Sequence, residues 1–215
     1  MLLTISFVGA HGSGKTTTAR RAVKDGFRMQ SVEAIDLAFG LPPVERQTLF
    51  FTAYVNSFLS ALNTTEPGVL VFDSHPLVVL PYTEYWLSRG GLDRDRVDQV
   101  LEAFGSIIAL LPPVDLMVYL EADDIDVLVE RVKRRARFSV AEEARADYIE
   151  FVDRKLRDYL QRLGPSLARY TLTVKASLEL EERYGLVKEW LDKHWAELEV
   201  RKKPVLSEGP IVLNE

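Results

Sequence analysis

The sequence predicts an α/β fold built around a parallel sheet. Short runs of β-branched and other apolar residues alternate with longer segments of helical period, which is the pattern of strand–helix–strand units. The apolar runs are short and nearly continuous, as expected of parallel strands that are buried on both faces. The 215 residues, of which 47% are hydrophobic and 27% are charged, suit one domain with a large core.

Five strands and seven helices follow from this alternation. The predicted strands are Leu3–Val8, Phe27–Val32, Val69–Phe72, Leu116–Leu120 and Leu172–Lys175. The predicted helices begin at Gly14–Lys15, near Pro43, near His75, at Asp93, at Asp123, within Ala141–Leu163 and at Glu179. The clearest helix is Asp93–Leu111, because its apolar residues form one stripe behind an aspartate that caps the first turn. Pro112 and Pro113 end that helix before the next strand.

Composition and charge exclude several classes of protein. Lysine and arginine total 27 against 32 acidic residues, and the net charge of -5 argues against a protein that coats nucleic acid. The absence of cysteine excludes disulfides and a cysteine nucleophile. No apolar stretch reaches the roughly 18 residues of a membrane span, and the apolar N-terminal run lacks a basic leader. We therefore expect a cytoplasmic protein with a small-molecule partner and no nucleic-acid or membrane partner.

The segment FVGAHGSGKTTTAR fits the phosphate-binding loop pattern, in which a glycine and four further residues precede Gly-Lys-Thr. It follows a predicted strand and opens a helix, so backbone N–H groups and the helix N-terminus can converge on a phosphate. Lys15 would contact the β- and γ-phosphate oxygens, and the Thr16 hydroxyl would bind Mg²⁺. His11 is more simply a spacer than a catalyst. The predicted nucleotide-binding residues are Gly9, His11, Gly12, Ser13, Gly14, Lys15, Thr16 and Thr17.

An aspartate ends the third predicted strand, in the stretch VLVFDSHP. Ligands of open α/β sheets lie beyond the carboxyl ends of the strands, and Mg²⁺ in such sites is held by carboxylates and water. Asp73 is therefore the candidate second metal ligand, although it could also cap the following helix. Glu121 and Asp123 also follow a strand, but there the next helix explains the acids as a cap and first-turn charges.

A cluster of arginines, ERVKRRAR at residues 130–137, ends the helix predicted to start at Asp123. Arginine suits a transition state that spreads charge over phosphate oxygens, because its planar donors bind them in pairs. We interpret the segment as a lid that closes on the phosphates. The alternative is a solvated basic face, which is favoured at a helix C-terminus.

Taken in order, these motifs resemble the thymidylate kinases and deoxynucleoside kinases, a branch of the phosphate-loop kinases. The stretches that carry the resemblance are GAHGSGKTT, LFFTAYVNSFLSAL, GVLVFDSHP and PPVDLMVYLEADDIDVLVERVKRRAR. The resemblance covers residues 1–195, with a lid at about 131–143, and leaves 196–215 as a tail or extra edge element. It implies a five-stranded parallel sheet in the order 2-3-1-4-5 flanked by helices, with ATP and Mg²⁺ as cofactors.

The resemblance also implies roles for individual residues. Arg131 would lie near the donor adenine or phosphates, and Arg135 and Arg137 would reach the transferring group. Lys175 and Ala176, after the last strand, would touch the adenine. Relatives are also expected to dimerise through helices near Asp93–Leu111, so the chain is expected to form a homodimer.

The chain departs from the family pattern on the acceptor side. An arginine usually follows the strand-three acid, but here Ser74 takes that place. Deoxynucleoside kinases carry Glu-Pro after strand two, where the glutamate is the base, but here Glu33 is followed by alanine. Glu33 could still be the base, and Asp36 is nearly as good. Arg28 or Arg46 could hold an acceptor phosphate.

The sequence therefore predicts ATP-dependent phosphoryl transfer to a nucleoside or nucleoside monophosphate, similar to thymidylate kinase. One alternative is a nucleotide-binding regulator or slow NTPase without acceptor kinase activity, which the serine at position 74 favours. A further alternative is a kinase for another small metabolite, because the fold does not fix the acceptor.

Overall fold

The computed structural model describes residues 2–32, 40–63, 66–134 and 140–202. Its centre is a five-stranded, all-parallel sheet in the order β2-β3-β1-β4-β5. The strands are β1 (Leu2–Gly9), β2 (Arg28–Gln30), β3 (Gly68–Phe72), β4 (Val114–Glu121) and β5 (Ala168–Lys175). The α/β class and the strand order 2-3-1-4-5 are confirmed.

Helices cover both faces of the sheet. They are α1 (Lys15–Val23), α2 (Pro43–Leu62), α3 (Val79–Arg89), α4 (Arg94–Ala109), α5 (Ile125–Lys133), the short α6 (Val140–Glu143), α7 (Ala146–Leu167) and α8 (Leu180–Lys202). A 3-10 turn at Pro76–Val78 precedes α3. Helix α8 continues past residue 195, the predicted end of the domain, and residues 203–215 of the predicted tail lie outside the described residues. Among the described residues no helix is both long and apolar enough to cross a bilayer.

Successive residues of the central strands alternate between two cores. On β1, Leu3, Ile5 and Phe7 pack in the core formed with α1, α5 and α8. Val8, one position on, belongs to the core on the opposite face, where α2 and α4 pack. Because both faces are covered, the inner strands are mostly apolar, as the sequence predicted, and the buried polar pair Thr4 and Asp115 is joined by hydrogen bonds.

Several element boundaries differ from the prediction; β2, for example, spans only Arg28–Gln30 and not Phe27–Val32. Strand β5 begins at Ala168 rather than Leu172, because it is an edge strand on which exposed Thr171 alternates with half-buried Tyr170, so its first half is not an apolar run. The cap of α5 is Asp124, whose carboxylate accepts a hydrogen bond from Val127 N at 3.1 Å. The predicted cap, one residue earlier, instead binds the loop after β5.

Candidate nucleotide-binding site

The phosphate-binding loop lies between β1 and α1, at the carboxyl edge of the sheet, as the sequence predicted. Gly12 and Gly14 have φ values of 79° and 92°, which favour glycine over residues with a Cβ. The space is also closed to a side chain, because an added Cβ at Gly12 would lie 2.4 Å from the Leu128 carbonyl oxygen. The loop therefore depends on glycine both for its conformation and for its packing against α5.

Lys15 is folded over this loop. Its Nζ donates hydrogen bonds to the carbonyl oxygens of Gly9 at 2.8 Å and Ala10 at 2.9 Å. One turn on, the Thr18 hydroxyl donates to the Gly14 carbonyl at 3.0 Å and secures the first turn of α1. The ammonium group is thus held at the loop, where a phosphate bound to the N–H groups of the loop would meet it.

Asp73 reaches the phosphate-binding loop from the end of β3. The Thr16 hydroxyl donates to Asp73 Oδ2 at 3.2 Å, so the two predicted Mg²⁺ ligands are neighbours. Burial raises the pKa of Asp73, while the Thr16 hydroxyl and the charge of Lys15 oppose that rise. A hydroxyl beside a carboxylate is a donor set that fits Mg²⁺, which prefers oxygen ligands and keeps several waters.

The competing acids at the end of β4 have other partners. Glu121 forms an ion pair with Arg157 at 3.0 Å, and Asp123 accepts hydrogen bonds from the backbone and the hydroxyl of Ser177 at 2.9 and 2.6 Å. Neither contact involves the phosphate-binding loop. The geometry therefore favours Asp73 over both as the acid of this site.

His11, within the loop, is tied to distant segments by aromatic contacts. Its Nδ1 lies 3.0 Å from the hydroxyl of Tyr148 on α7, and its ring lies 4.7 Å from that of Tyr82 on α3. Tyr82 also donates to the Gly9 carbonyl at 3.3 Å, and Glu143 of α6 lies 3.8 Å from His11 Nε2. His11 therefore does more than space the loop, and no local motif in the sequence identifies its partners.

The predicted donor-base loop follows β5 and is held by arginines. Arg131, on α5, donates to the carbonyl oxygens of Ala176, Ser177 and Leu178. Arg131 and Ala176, to which the resemblance gives separate roles at the donor nucleotide, are thus in contact, while Lys175 is exposed at the strand end. A second arginine, Arg183 of α8, binds the same loop and was not identified from the sequence.

On the predicted acceptor side, Ser74 lies beside Tyr54 of α2. Burial together with the charge of Asp73 raises the pKa of Tyr54 to about 12, and Ser74 opposes that rise. The tyrosine is therefore neutral at physiological pH and can donate a hydrogen bond. The charge of Glu143, at the end of α6, also raises this pKa.

The other predicted acceptor residues are not all at this site. Arg28 is the first residue of β2, away from the carboxyl edge of the sheet, and forms an ion pair with Glu66 at 2.8 Å. Arg46, in the first turn of α2, donates to the Leu41 carbonyl at 3.2 Å. The remaining predictions, Glu33, Asp36, Arg135 and Arg137, lie outside the described residues.

Comparison with known proteins establishes the fold. No family model and no curated protein matches the chain. Solved structures of deoxyadenosine kinase from M. mycoides do match: one with bound dATP has a TM-score of 0.71 at 16% identity, covering 88% of this chain and 99% of that one. Another with bound dCTP has a TM-score of 0.67 at 15% identity, covering 89% and 100%. A third, with dCMP and a flexible dCDP, has a TM-score of 0.67 at 17% identity and the same coverage. Over nearly its whole length, the chain therefore has the fold of a phosphate-loop deoxynucleoside kinase.

Proposed function

We propose that the chain is an ATP-dependent kinase that transfers the γ-phosphoryl group to a nucleoside or nucleoside monophosphate in the cytoplasm. The observation that carries this proposal is the contact between Thr16, at the start of α1, and Asp73, at the end of β3, beside a lysine folded over the loop. A phosphate-binding loop alone serves many nucleotide-binding proteins. The neighbouring acid adds the ligand that a Mg²⁺-dependent phosphoryl transfer needs.

The chemistry follows from the positions of these groups. The N–H groups of the loop and the charge of Lys15 would bind the β- and γ-phosphates and stabilise the charge that develops during transfer. Thr16 and Asp73 would hold Mg²⁺, which supplies charge neutralisation across the phosphates when it is bound. Tyr54 and Ser74 would orient the acceptor so that its oxygen faces the γ-phosphate.

The fold neighbours suggest which class of acceptor to test first. The fold neighbours are structures of a deoxyadenosine kinase with bound nucleotides, which makes a deoxynucleoside the first acceptor to test. A nucleoside monophosphate such as thymidylate remains part of the proposal, because its ionised phosphate oxygen needs no base. If a base is required, Glu33 and Asp36 are the proposed candidates, and Arg135 and Arg137 are the proposed lid residues.

An acceptor panel tests the proposal. ADP release from ATP is measured with each of the common nucleosides, deoxynucleosides and their monophosphates, alongside the melting temperature with each compound. We expect one or a few acceptors to stimulate ADP release and to raise the melting temperature. ATP binding without stimulation of ADP release by any acceptor would contradict kinase activity and favour the regulator or slow NTPase. The observation that favours this alternative is Ser74, which stands where the resembling families have an arginine.

We also propose that the protein forms a homodimer through α4. Ile107 on that helix is 44% exposed, and Leu110, directly after the helix, is 85% exposed; neighbouring exposed apolar side chains favour an interface. Light scattering should give about twice the chain mass of 24.4 kDa. A mass equal to that of one chain would exclude the dimer.

A further inference from the structure

Arg183 is a buried cation whose observed hydrogen bonds go to backbone carbonyl groups. It lies in the first turns of α8 with 3% of its surface exposed, and no ion pair joins it to a carboxylate among the described residues. Its Nη1 donates to the carbonyl oxygens of Ala176 at 2.7 Å and Leu178 at 3.1 Å, while its buried Nε has no hydrogen-bond partner in the described part of the chain. Burying such a charge is costly, so its position calls for a function.

The guanidinium group of Arg183 also packs directly against the phosphate-binding loop. An added Cβ at Gly14 would lie 2.6 Å from Arg183 Nη2 and 2.9 Å from its Cζ. With a side chain at position 14, the guanidinium group would have to shift from this place. One side chain therefore joins the residue before Lys15 to the loop after β5.

A second arginine converges on the same carbonyl groups. Arg131 reaches the Ala176 carbonyl from α5, so that oxygen accepts hydrogen bonds from two guanidinium groups. Burial and the charge of Arg131 lower the pKa of Arg183, while the charge of Glu179 opposes them. Two like charges at one carbonyl oxygen repel each other, and together they hold the loop at residues 176–178 in place relative to the phosphate-binding loop.

We propose that Arg183 is a positioning residue that sets the affinity for the donor base by fixing the 176–178 loop against Gly14. This inference rests on the proposed function, in which the loop after β5 contacts the base of the donor nucleotide. Arg183 acts through the loop and not by touching the nucleotide. Its loss therefore lets the base-binding loop move while the phosphate-binding loop keeps its own backbone N–H groups and Lys15.

Two ligands separate these effects. ATP carries a base and a triphosphate, whereas inorganic tripolyphosphate carries only the phosphates. In the presence of Mg²⁺ and without an acceptor, we expect Arg183→Met to weaken ATP binding by about 10-fold, the scale of one lost charge-assisted contact. Its affinity for tripolyphosphate should stay within about twofold of that of the wild type. Isothermal titration calorimetry measures both dissociation constants.

The matched control is Arg21→Met. Arg21 also ties α8 to another element, through its ion pair with Glu181 at 2.9 Å, but it does not contact the 176–178 loop. The control should bind both ligands as the wild type does. If both variants lose ATP affinity equally, general loosening of α8 explains the loss and the inference fails.

Further outcomes are equally decisive. The inference is overturned if Arg183→Met binds ATP within twofold of the wild type, or if it loses ATP and tripolyphosphate by the same factor. If circular dichroism shows that the methionine variant does not fold, the same criteria apply to Arg183→Lys, which keeps the charge but not the planar fork. Failure of the wild type to bind either ligand would instead contradict the proposed function.

Discussion

The donor side and the acceptor side of the candidate site are built differently. The donor side uses backbone groups, the carbonyls and N–H groups of Gly9–Lys15 and of residues 176–178, with Lys15, Arg131 and Arg183 bound to them. The proposed acceptor side uses single side chains from separate elements, such as Tyr54 of α2 and Ser74 after β3. Backbone geometry constrains a continuous stretch of sequence, whereas isolated side chains can change one at a time. We therefore expect the donor to be ATP and the acceptor to be the feature in which this chain is most individual.

The largest effect is expected on the donor side, at Lys15. Replacing Lys15 with alanine removes the charge held over the loop, and phosphoryl transfer should fall by about 10³-fold, as when one preorganised donor to a developing charge is lost. Steady-state ADP release with the best acceptor measures this. Lys24→Ala, at the exposed end of the same helix, is the control and should keep full turnover. Near-normal turnover of Lys15→Ala would show that the loop does not act on the transferring phosphate.

Asp73 connects the two sides, and its loss should have the next largest effect. Asp73→Asn keeps the size of the side chain but removes the negative charge beside Thr16, so kcat should fall by about 10²-fold and more Mg²⁺ should be needed for half-maximal rate. A Mg²⁺ titration of the initial rate measures both. The control is Asp115→Asn near the start of β4, where the carboxylate accepts hydrogen bonds from Thr4. That variant should lose stability without a change in Mg²⁺ dependence, and equal Mg²⁺ responses in the two variants would contradict the assignment.

On the acceptor side, a single hydroxyl should matter for one substrate only. Tyr54→Phe removes the hydroxyl beside Ser74 that is proposed to orient the acceptor, and we expect KM for the acceptor to rise by about 5-fold, the scale of one neutral hydrogen bond. KM for ATP should not change. Tyr170→Phe, which removes a hydroxyl bound to Glu197 at the far edge strand, is the matched control. If Tyr54→Phe raises KM for ATP instead, the two sides are not separate.

The smallest effect concerns stability near the acceptor side. His75, directly after Ser74, is fully buried, and burial lowers its pKa to about 3. The unfolded chain, with the ordinary histidine pKa, binds a proton below about pH 6.5 while the native state does not, so stability falls as pH drops below that value. Between pH 7 and 5 this histidine should account for about 2 kcal/mol of lost stability.

Urea unfolding at pH 7 and pH 5 tests this prediction. His75→Asn keeps a side-chain acceptor for Leu77 N, which now binds His75 Nδ1 at 3.1 Å, and it removes the titrating ring. The loss of stability between the two pH values should therefore be smaller in the variant by about 2 kcal/mol. His194→Asn, on α8, serves as the comparison. An unchanged loss in His75→Asn would show that its ring is protonated in the native state or titrates normally.

The sequence predicts the place of the phosphate-binding loop and of Asp73 because their signals are local. The phosphate-binding loop is one continuous motif, and the positive φ values of Gly12 and Gly14 are a requirement that glycine meets. The end of β3 is predicted because a buried parallel strand is an apolar run, and this run stops at Asp73. Strand β5 was predicted only in part, since an edge strand alternates between exposed and covered residues.

The remainder of the site carries no local signal. Arg183 is one arginine on an ordinary helix, and only the fold brings it to Gly14, 169 positions earlier in the chain. Tyr148 and Glu143 likewise meet His11 through the packing of α6 and α7. Such contacts depend on how helices are set over the sheet, which hydrophobic patterning fixes only coarsely. The roles of Glu33, Asp36, Arg135 and Arg137 stay predictions.

The central claim, phosphoryl transfer from ATP to a nucleoside-type acceptor, is tested most directly by following the phosphate itself. The protein is incubated with Mg²⁺ and ATP labelled in the γ-phosphate, together with each deoxynucleoside or monophosphate, and the products are separated. The account predicts label in a phosphorylated acceptor with the wild type and none with Lys15→Ala. Label found only in inorganic phosphate, whichever acceptor is present, would contradict it.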